Sequence, residues 1–252
     1  MTQKSFKKFT VPLVYNRRET LSGTPLLFSS SVIFTVASRY FIVSSGHTVH
    51  GENTDEFGFM INQTFYNIAG LGWVFQPNEE EKNHDPTRLD LALYELTDRI
   101  SIRALKSKYT FLKWKEIALS HFSENKSQYF IYGYPAILST NNDDEKKVIV
   151  NSIKISACGV EYDDYKEFKI EMTNFLILKV IKGLSLNLEG ISGCGVWLKK
   201  DISEGKSTYQ LTGIITGQDE FATFLFSTKV DIISKILKDC FDLNVDEYSN
   251  GN

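Results

Sequence analysis

The chain of 252 residues predicts an all-β protein with one terminal helix. Three observations carry that expectation. Short runs rich in β-branched and aromatic residues recur along most of the length, as in strands that pack on a pleated surface. Polar stretches with turn chemistry separate them. One segment near the C-terminus has clean helical spacing. Many short strands followed by a single helix fit a β-barrel or a β-sandwich.

The elements follow in chain order. Residues 1–20 are basic and mixed, an arm or a lead-in strand. Gly23-Thr24-Pro25-Leu26-Leu27-Phe28 opens the first series of β-type runs. Ser31 to Ser45 is too rich in Val, Ile, Phe and Tyr for a helix, and Ala37-Ser38-Arg39 breaks it into a hairpin. Further runs cover 57–62, 64–76 and 89–96, with Pro77 to Arg88 as an exposed acidic loop. Residues 97–126 are charged with scattered apolar positions. They predict a connection between two halves, with a helical turn near Trp114. Strand-like runs resume at 128–134, 146–156, 167–181, 194–199, 208–216 and 222–227, and Asn141 to Lys147 forms a polar loop. Ile232, Ile233, Ile236, Leu237, Cys240 and Phe241 share one helical face, and Thr228-Lys229-Val230-Asp231 fits a capping box before it.

Composition narrows the class. The chain is 42% hydrophobic and 13% aromatic, enough for a core and unlike a disordered chain. Net charge is −3, so no overall basic excess points to nucleic acid or an anionic membrane as partner. Cys158, Cys194 and Cys240 are odd in number and hold no CxxC pair, which speaks against a disulfide framework or a zinc site. No signal-peptide pattern and no apolar stretch of about 20 residues is visible. A cytoplasmic, reduced protein is expected.

Three stretches carry candidate chemistry. Gly190-Ile191-Ser192-Gly193-Cys194-Gly195 sets a serine between glycines ahead of an apolar run. Such a turn can present a hydroxyl outward while backbone N–H groups converge, the geometry an oxyanion hole requires. Val43-Ser44-Ser45-Gly46-His47 ends an apolar run with a histidine among small residues. Arg88-Leu89-Asp90-Leu91-Ala92-Leu93 heads an apolar run with a carboxylate, which is awkward unless something pairs with it. Each has a bland alternative: a tight turn, a structural histidine, a strand-end cap. The chain has four histidines. His84 and His121 sit in polar surroundings and are expected on the surface, and His50 is the one rival base.

Together the stretches resemble the trypsin/chymotrypsin-like serine proteases, and more closely their bacterial intracellular branch. Ser44-Ser45-Gly46-His47 resembles the family's Thr-Ala-Ala-His, Asp90-Leu91-Ala92-Leu93 its Asp-(Ile/Leu)-Ala-Leu, and Gly190-Ile191-Ser192-Gly193 the start of Gly-Asp-Ser-Gly-Gly-Pro. The order His, Asp, Ser also agrees. Gly23-Thr24, Gly133-Tyr134-Pro135 and Leu211-Thr212-Gly213-Ile214-Ile215 are supporting matches, and the likeness covers about residues 20–241.

The resemblance implies two antiparallel six-stranded-type β-barrels with a cleft between them and a C-terminal helix behind. Residues 1–110 would form the barrel carrying His47 and Asp90, 111–126 a connection, 127–228 the barrel carrying Ser192, and 229–252 the helix and tail. It further implies a serine endopeptidase with Ser192 as nucleophile, His47 as base and Asp90 as its orienting carboxylate. Gly190 and Ser192 would supply oxyanion N–H groups, and no metal or cofactor is needed. The specificity pocket would be lined by Leu186, Asn187, Leu188, Glu189, Thr216, Gly217 and Gln218. Leu186 falls where trypsin has its pocket-floor aspartate, so an apolar or small substrate side chain is expected. Partners would be a protein or peptide substrate and an activating protein, with one dedicated target in a bacterial stress or defence system. The alternative is a protease-fold binding subunit that is silent or activated by a partner.

The departures matter. Ile191 stands where the family has an aspartate, and no Ile-Val-Gly-Gly N-terminus is present. Activation by a freed N-terminal amine is therefore not expected. Cys194 and Gly195 stand in place of Gly-Pro, and Cys194 is expected to face the interior.

Overall fold

The β-branched runs pair into two separate antiparallel systems. The computed structural model describes residues 6–15, 26–48, 57–68, 72–75, 89–119, 127–142, 147–161, 163, 166, 173–181, 190–203, 206–245 and 248. The first system holds β1 (Thr10–Tyr15), β2 (Leu26–Val36), β3 (Arg39–Ser44), β4 (Phe57–Ile61), β5 (Thr64–Asn67), β6 (Gly72–Phe75) and β7 (Leu91–Leu96), in the order β5-β4-β1-β2-β3-β7-β6. The two-residue β8 (Leu112–Lys113) adds to β2 in parallel. The second is a closed barrel of β9 (Gln128–Gly133), β12 (Ile153–Gly159), β13 (Phe175–Val180), β14 (Gly195–Ser203), β15 (Lys206–Gln218) and β16 (Phe224–Lys229), in the order β12-β13-β16-β15-β14-β9. Between β9 and β12, β10 (Thr140–Asn142) and β11 (Lys147–Ile149) form a small hairpin of their own. The predicted double barrel with a terminal helix is the architecture observed.

Alternation fills each interior. Val11, Leu13, Ile33, Ile42, Phe57, Phe59 and Ala92 belong to the first core, and Tyr129, Ile131, Ile155, Leu178, Val196, Ile215 and Leu225 to the second. A third apolar cluster joins the barrels and takes in Phe34, Phe41, Trp114, Trp197 and Tyr209. The C-terminal α3 (Val230–Phe241), which follows α1 (Phe6–Phe9) and α2 (Arg99–Lys108), packs into it through Ile232, Ile233, Ile236, Leu237 and Phe241. Arg39 fixes the end of that helix. Its guanidinium donates to both oxygens of Glu95 and to the carbonyl of Phe241 at 2.8 Å.

The hairpin at Ala37-Ser38 forms as expected, with both residues left-handed at φ 50° and 62°. Asn62-Gln63 makes a second such turn between β4 and β5, at φ 49° and 67°, and both residues are exposed. A non-glycine side chain in this conformation costs about 1 kcal/mol. Gln63→Gly should therefore raise stability by about 0.5–1 kcal/mol, partly offset by backbone entropy. An unchanged or lower melting temperature in calorimetry would show that the turn holds no such strain.

Four expectations need correction. The connection 97–126 contains a ten-residue helix, α2 (Arg99–Lys108), ahead of the 3₁₀ turn at Trp114–Glu116. Asp98 caps α2 by accepting from the N–H of Ile100 (3.1 Å) and Ser101 (2.7 Å), so a side-chain N-cap wins over weak apolar periodicity. The N-terminal arm holds a short helix, α1 (Phe6–Phe9), before β1. Asn141, Asn142 and Lys147, expected in a loop, pair within β10 and β11, and the run expected over 146–156 divides into β11 and β12. Thr228 does not cap α3, because it remains in β16 opposite Phe175 and Ile214, and the helix begins after Lys229. The loop Pro77–Arg88, Gly23-Thr24, His50, His84 and His121 lie outside the described residues. Among the described residues no helix is long and apolar enough to cross a membrane.

Candidate active site

Strand register brings the histidine and the aspartate together. Val43 pairs with Leu93 and Ser44 with Ala92, so the end of β3 lies beside the start of β7. His47 follows three residues after Ser44, and Asp90 immediately precedes β7. The His47 backbone N–H donates to Asp90 Oδ1 at 2.6 Å, and His47 Nδ1 lies 2.5 Å from Asp90 Oδ2. Both carboxylate oxygens therefore grip one residue. Asp90 is 8% exposed at its side chain and His47 31%, so the acid is enclosed while the ring reaches solvent. An ionised carboxylate only accepts, so Nδ1 carries the proton and the lone pair falls on Nε2. The awkward carboxylate at the head of an apolar strand thus has its partner.

The serine sits on the turn its glycines permit. Gly190 and Gly193 are left-handed, at φ 80° and 82°. A Cβ on Gly193 would run into the Ser30 carbonyl oxygen and Ser44 Oγ. The turn closes through Cys194 N–H to Ile191 O (3.1 Å) and is clamped by Gly193 N–H to Ile215 O (2.7 Å) and Ile215 N–H to Cys194 O (2.9 Å). Ser30 N–H donates to Ser192 O at 3.2 Å across the barrel boundary. Ser192 itself is half-buried.

A seam of buried hydroxyls ties this turn to the histidine. Ser44 Oγ donates to Ser30 O (2.7 Å) and lies 3.2 Å from Ser29 Oγ and 3.4 Å from Thr48 Oγ1. Thr48 Oγ1 donates to Ser45 O at 2.7 Å, closing the turn that holds His47. From the second barrel, Tyr134 N–H donates to Ser30 Oγ at 2.6 Å. The elements bearing His47 and Ser192 therefore share Ser30 and Ser44 as neighbours. Sequence reasoning missed Ser29, Ser30 and their role. The available signal was three consecutive serines inside an otherwise apolar strand, where a buried hydroxyl needs a partner.

Cys194 faces inward, as expected. It is fully buried, and burial pushes its thiol up to about 12, with Ser30 Oγ as hydrogen-bond partner at 3.4 Å. A thiol that stays protonated is a poor nucleophile. Ile191 is 2% exposed and belongs to the second barrel's core. Ile191→Asp would bury a carboxylate among apolar side chains. We expect a loss of about 3–5 kcal/mol in denaturant unfolding, against about 0.5–1.5 for Ile191→Val. Equal midpoints for the two variants would contradict that placement.

Thr216, Gly217 and Gln218 end β15 beyond its last pair with β14, Gly195 with Ile214. The register shifts between Ile215 and Gly217, so Thr216 is the extra residue of a bulge against β16. This segment continues directly from the Ile215–Gly193 clamp. Leu186, Asn187, Leu188 and Glu189 lie outside the described residues. Among the described residues no group of three or more metal-ligating side chains occurs.

The fold defines a class: the trypsin-like double β-barrel, with the His47–Asp90 pair on one barrel and the Ser192 turn on the other. No family model matches the sequence, and no curated protein sequence matches it. Among solved structures it is similar to the scabies mite inactivated protease paralogue S-D1, with a TM-score of 0.57 and 10% identity over 95% of this chain and 94% of that one. At that identity the likeness establishes the fold.

Proposed function

We propose that the chain is a serine endopeptidase. The observation that carries this reading is the two-point hold of Asp90 on His47, at 2.6 and 2.5 Å, with Ser192 on a left-handed glycine turn that packs on Ser30 and Ser44 of the His47-bearing barrel. His47 Nε2 takes the Ser192 hydroxyl proton as Oγ attacks a substrate carbonyl carbon, and Asp90 stabilises the imidazolium that forms. The oxyanion is held by the N–H groups of Gly190 and Ser192, a contribution of about 2.7–4 kcal/mol per donor in comparable sites. The imidazolium then protonates the leaving amine. Water, activated by the same base, hydrolyses the acyl-enzyme. Thr216, Gly217 and Gln218, with Leu186 to Glu189, receive the substrate, whose preferred side chain is apolar or small.

The resemblance to bacterial intracellular enzymes supports a cytoplasmic setting, one dedicated protein target and a role in stress or defence. A second reading has a specific observation behind it: the similar solved structure is of a protein described as an inactivated protease paralogue. On that reading the chain is a silent or partner-activated binding subunit. A fluorophosphonate probe separates the two. Rapid labelling of the purified chain at Ser192, absent in Ser192→Ala, supports the peptidase. No labelling of the folded chain supports the binding subunit.

A further inference from the structure

The run from Arg99 to Lys115 holds six basic residues and no acidic one, in a chain whose net charge is −3. Arg99, Arg103 and Lys106 stand at i, i+4 and i+7 of α2, along one exposed stripe opposite buried Ser101 and Leu105. Lys108, Lys113 and Lys115 continue it and are exposed too. The N-terminal arm adds exposed Lys7 and Lys8, because Thr110 N–H donates to Lys8 O at 2.7 Å. Among the described residues no ion pair links any of these eight cations to a carboxylate. The bracketing acids are engaged elsewhere. Asp98 caps α2, and Glu116 accepts from Lys113 N–H at 3.0 Å.

Like charges at i, i+4 weaken a helix, so the stripe is a burden on the fold itself. One member is nonetheless held in place. Lys106 donates to Tyr40 Oη at 2.6 Å and lies 4.1 Å from the centre of that ring. Tyr40 pairs with Leu96 at the end of β7 remote from Asp90. The patch thus occupies the opposite end of the first barrel from His47, about 20 Å along a six-residue strand.

Two features select the occupant. Ile100, 68% exposed, stands beside the stripe and offers an apolar contact that phosphates do not use. The nearby rings of Tyr109, Phe111 and Trp114 are buried and Lys106 lies over that of Tyr40, so the described residues of the patch offer no open ring for stacking bases. The apolar face of α2 is also turned inward, leaving Ile100 without a second anchor for a lipid surface. We propose that the exposed face of α2, with Lys7 and Lys8 beside it, docks an acidic segment of a partner protein that presents an apolar side chain to Ile100. This does not depend on the peptidase reading.

The test uses the full chain and a fluorescein-labelled peptide of eight glutamates around a central leucine, read by fluorescence anisotropy at low and physiological salt. The wild type should bind, more weakly as salt rises. R99Q/R103Q/K106Q should bind about tenfold more weakly or worse, Ile100→Ser a few-fold more weakly, and Ser192→Ala equally well. Matched melting temperatures guard against misfolding. Should the triple variant melt early, R103Q alone is compared, with about a twofold to threefold loss expected. Equal binding by the wild type and the charge variants overturns the proposal. So does no binding at low salt, or tighter binding of a single-stranded oligonucleotide or phosphatidylserine vesicles than of the peptide. Labelling of Ser192 by a fluorophosphonate reports on the peptidase reading separately.

Discussion

Ser192→Ala should lower peptide hydrolysis by about 10⁴- to 10⁶-fold, and His47→Ala by a similar factor. The double variant should lose little more, because neither residue works without the other. Asp90→Asn tests the geometry more finely. An amide at Asp90 would keep the shape of the site but could donate toward Nδ1, disfavouring the tautomer that leaves Nε2 basic. A loss of about 10⁴ in kcat is expected with the fold intact. Because Asp90 also accepts from the His47 backbone N–H at 2.6 Å, Asp90→Ala should additionally loosen the turn Ser45–Thr48. Steady-state kcat/KM on a peptide substrate, with melting temperatures alongside, measures each effect. Ordinary turnover by Ser192→Ala would refute the assignment.

Removing residues 1–9 should unfold or severely weaken the protein rather than activate it. Phe6 is fully buried, stacked on Trp197 at 4.9 Å and edge-on to Tyr209 at 5.1 Å. Phe9 adds a contact with Trp197 at 6.0 Å. These rings come from a segment that leads straight into β1 of the first sheet, yet they pack on β14 and β15 of the second barrel. The arm is therefore a tie between barrels. Thr10 Oγ1 donates to Phe6 O at 3.1 Å, fixing its exit. Loss of one buried phenylalanine costs about 3–5 kcal/mol, and a domain's whole stability is about 5–15. Phe6→Ala alone should show the lower figure in urea unfolding. Nor would a new N-terminal amine find a carboxylate at position 191, since Ile191 lies in the core. A trimmed chain with an unchanged unfolding midpoint and higher peptidase activity would overturn this account.

What was legible from the residues was whatever local chemistry decides. The β-branched runs announced strands because stiff side chains favour a pleated surface, and the double barrel followed from their number and from the resemblance. The C-terminal helix was legible in Ile232, Ile233, Ile236, Leu237 and Phe241, whose spacing makes one apolar face. The glycines around Ser192 announced a turn, because left-handed backbone at 190 and 193 excludes a Cβ. α2 was hidden by its charges, since four basic residues among its ten obscure the two positions it buries. Thr228 looked like a cap because its local pattern allows one, but strand pairing with Phe175 and Ile214 claimed its backbone first.

The amino-acid sequence by itself determined most of the strands, the terminal helix, the turn at Ser192 and the need of Asp90 for a partner. The resemblance named His47 as that partner, and only the tertiary structure brings the two into contact. The β3–β7 register sets Asp90 against His47, and a slip of one residue would turn every side chain on those strands to the other face. Likewise, nothing local in Phe6 reveals Trp197, and nothing in Ser30 reveals Tyr134 and Cys194. Those contacts join residues more than a hundred positions apart, and only the packing of one barrel on the other brings them within reach.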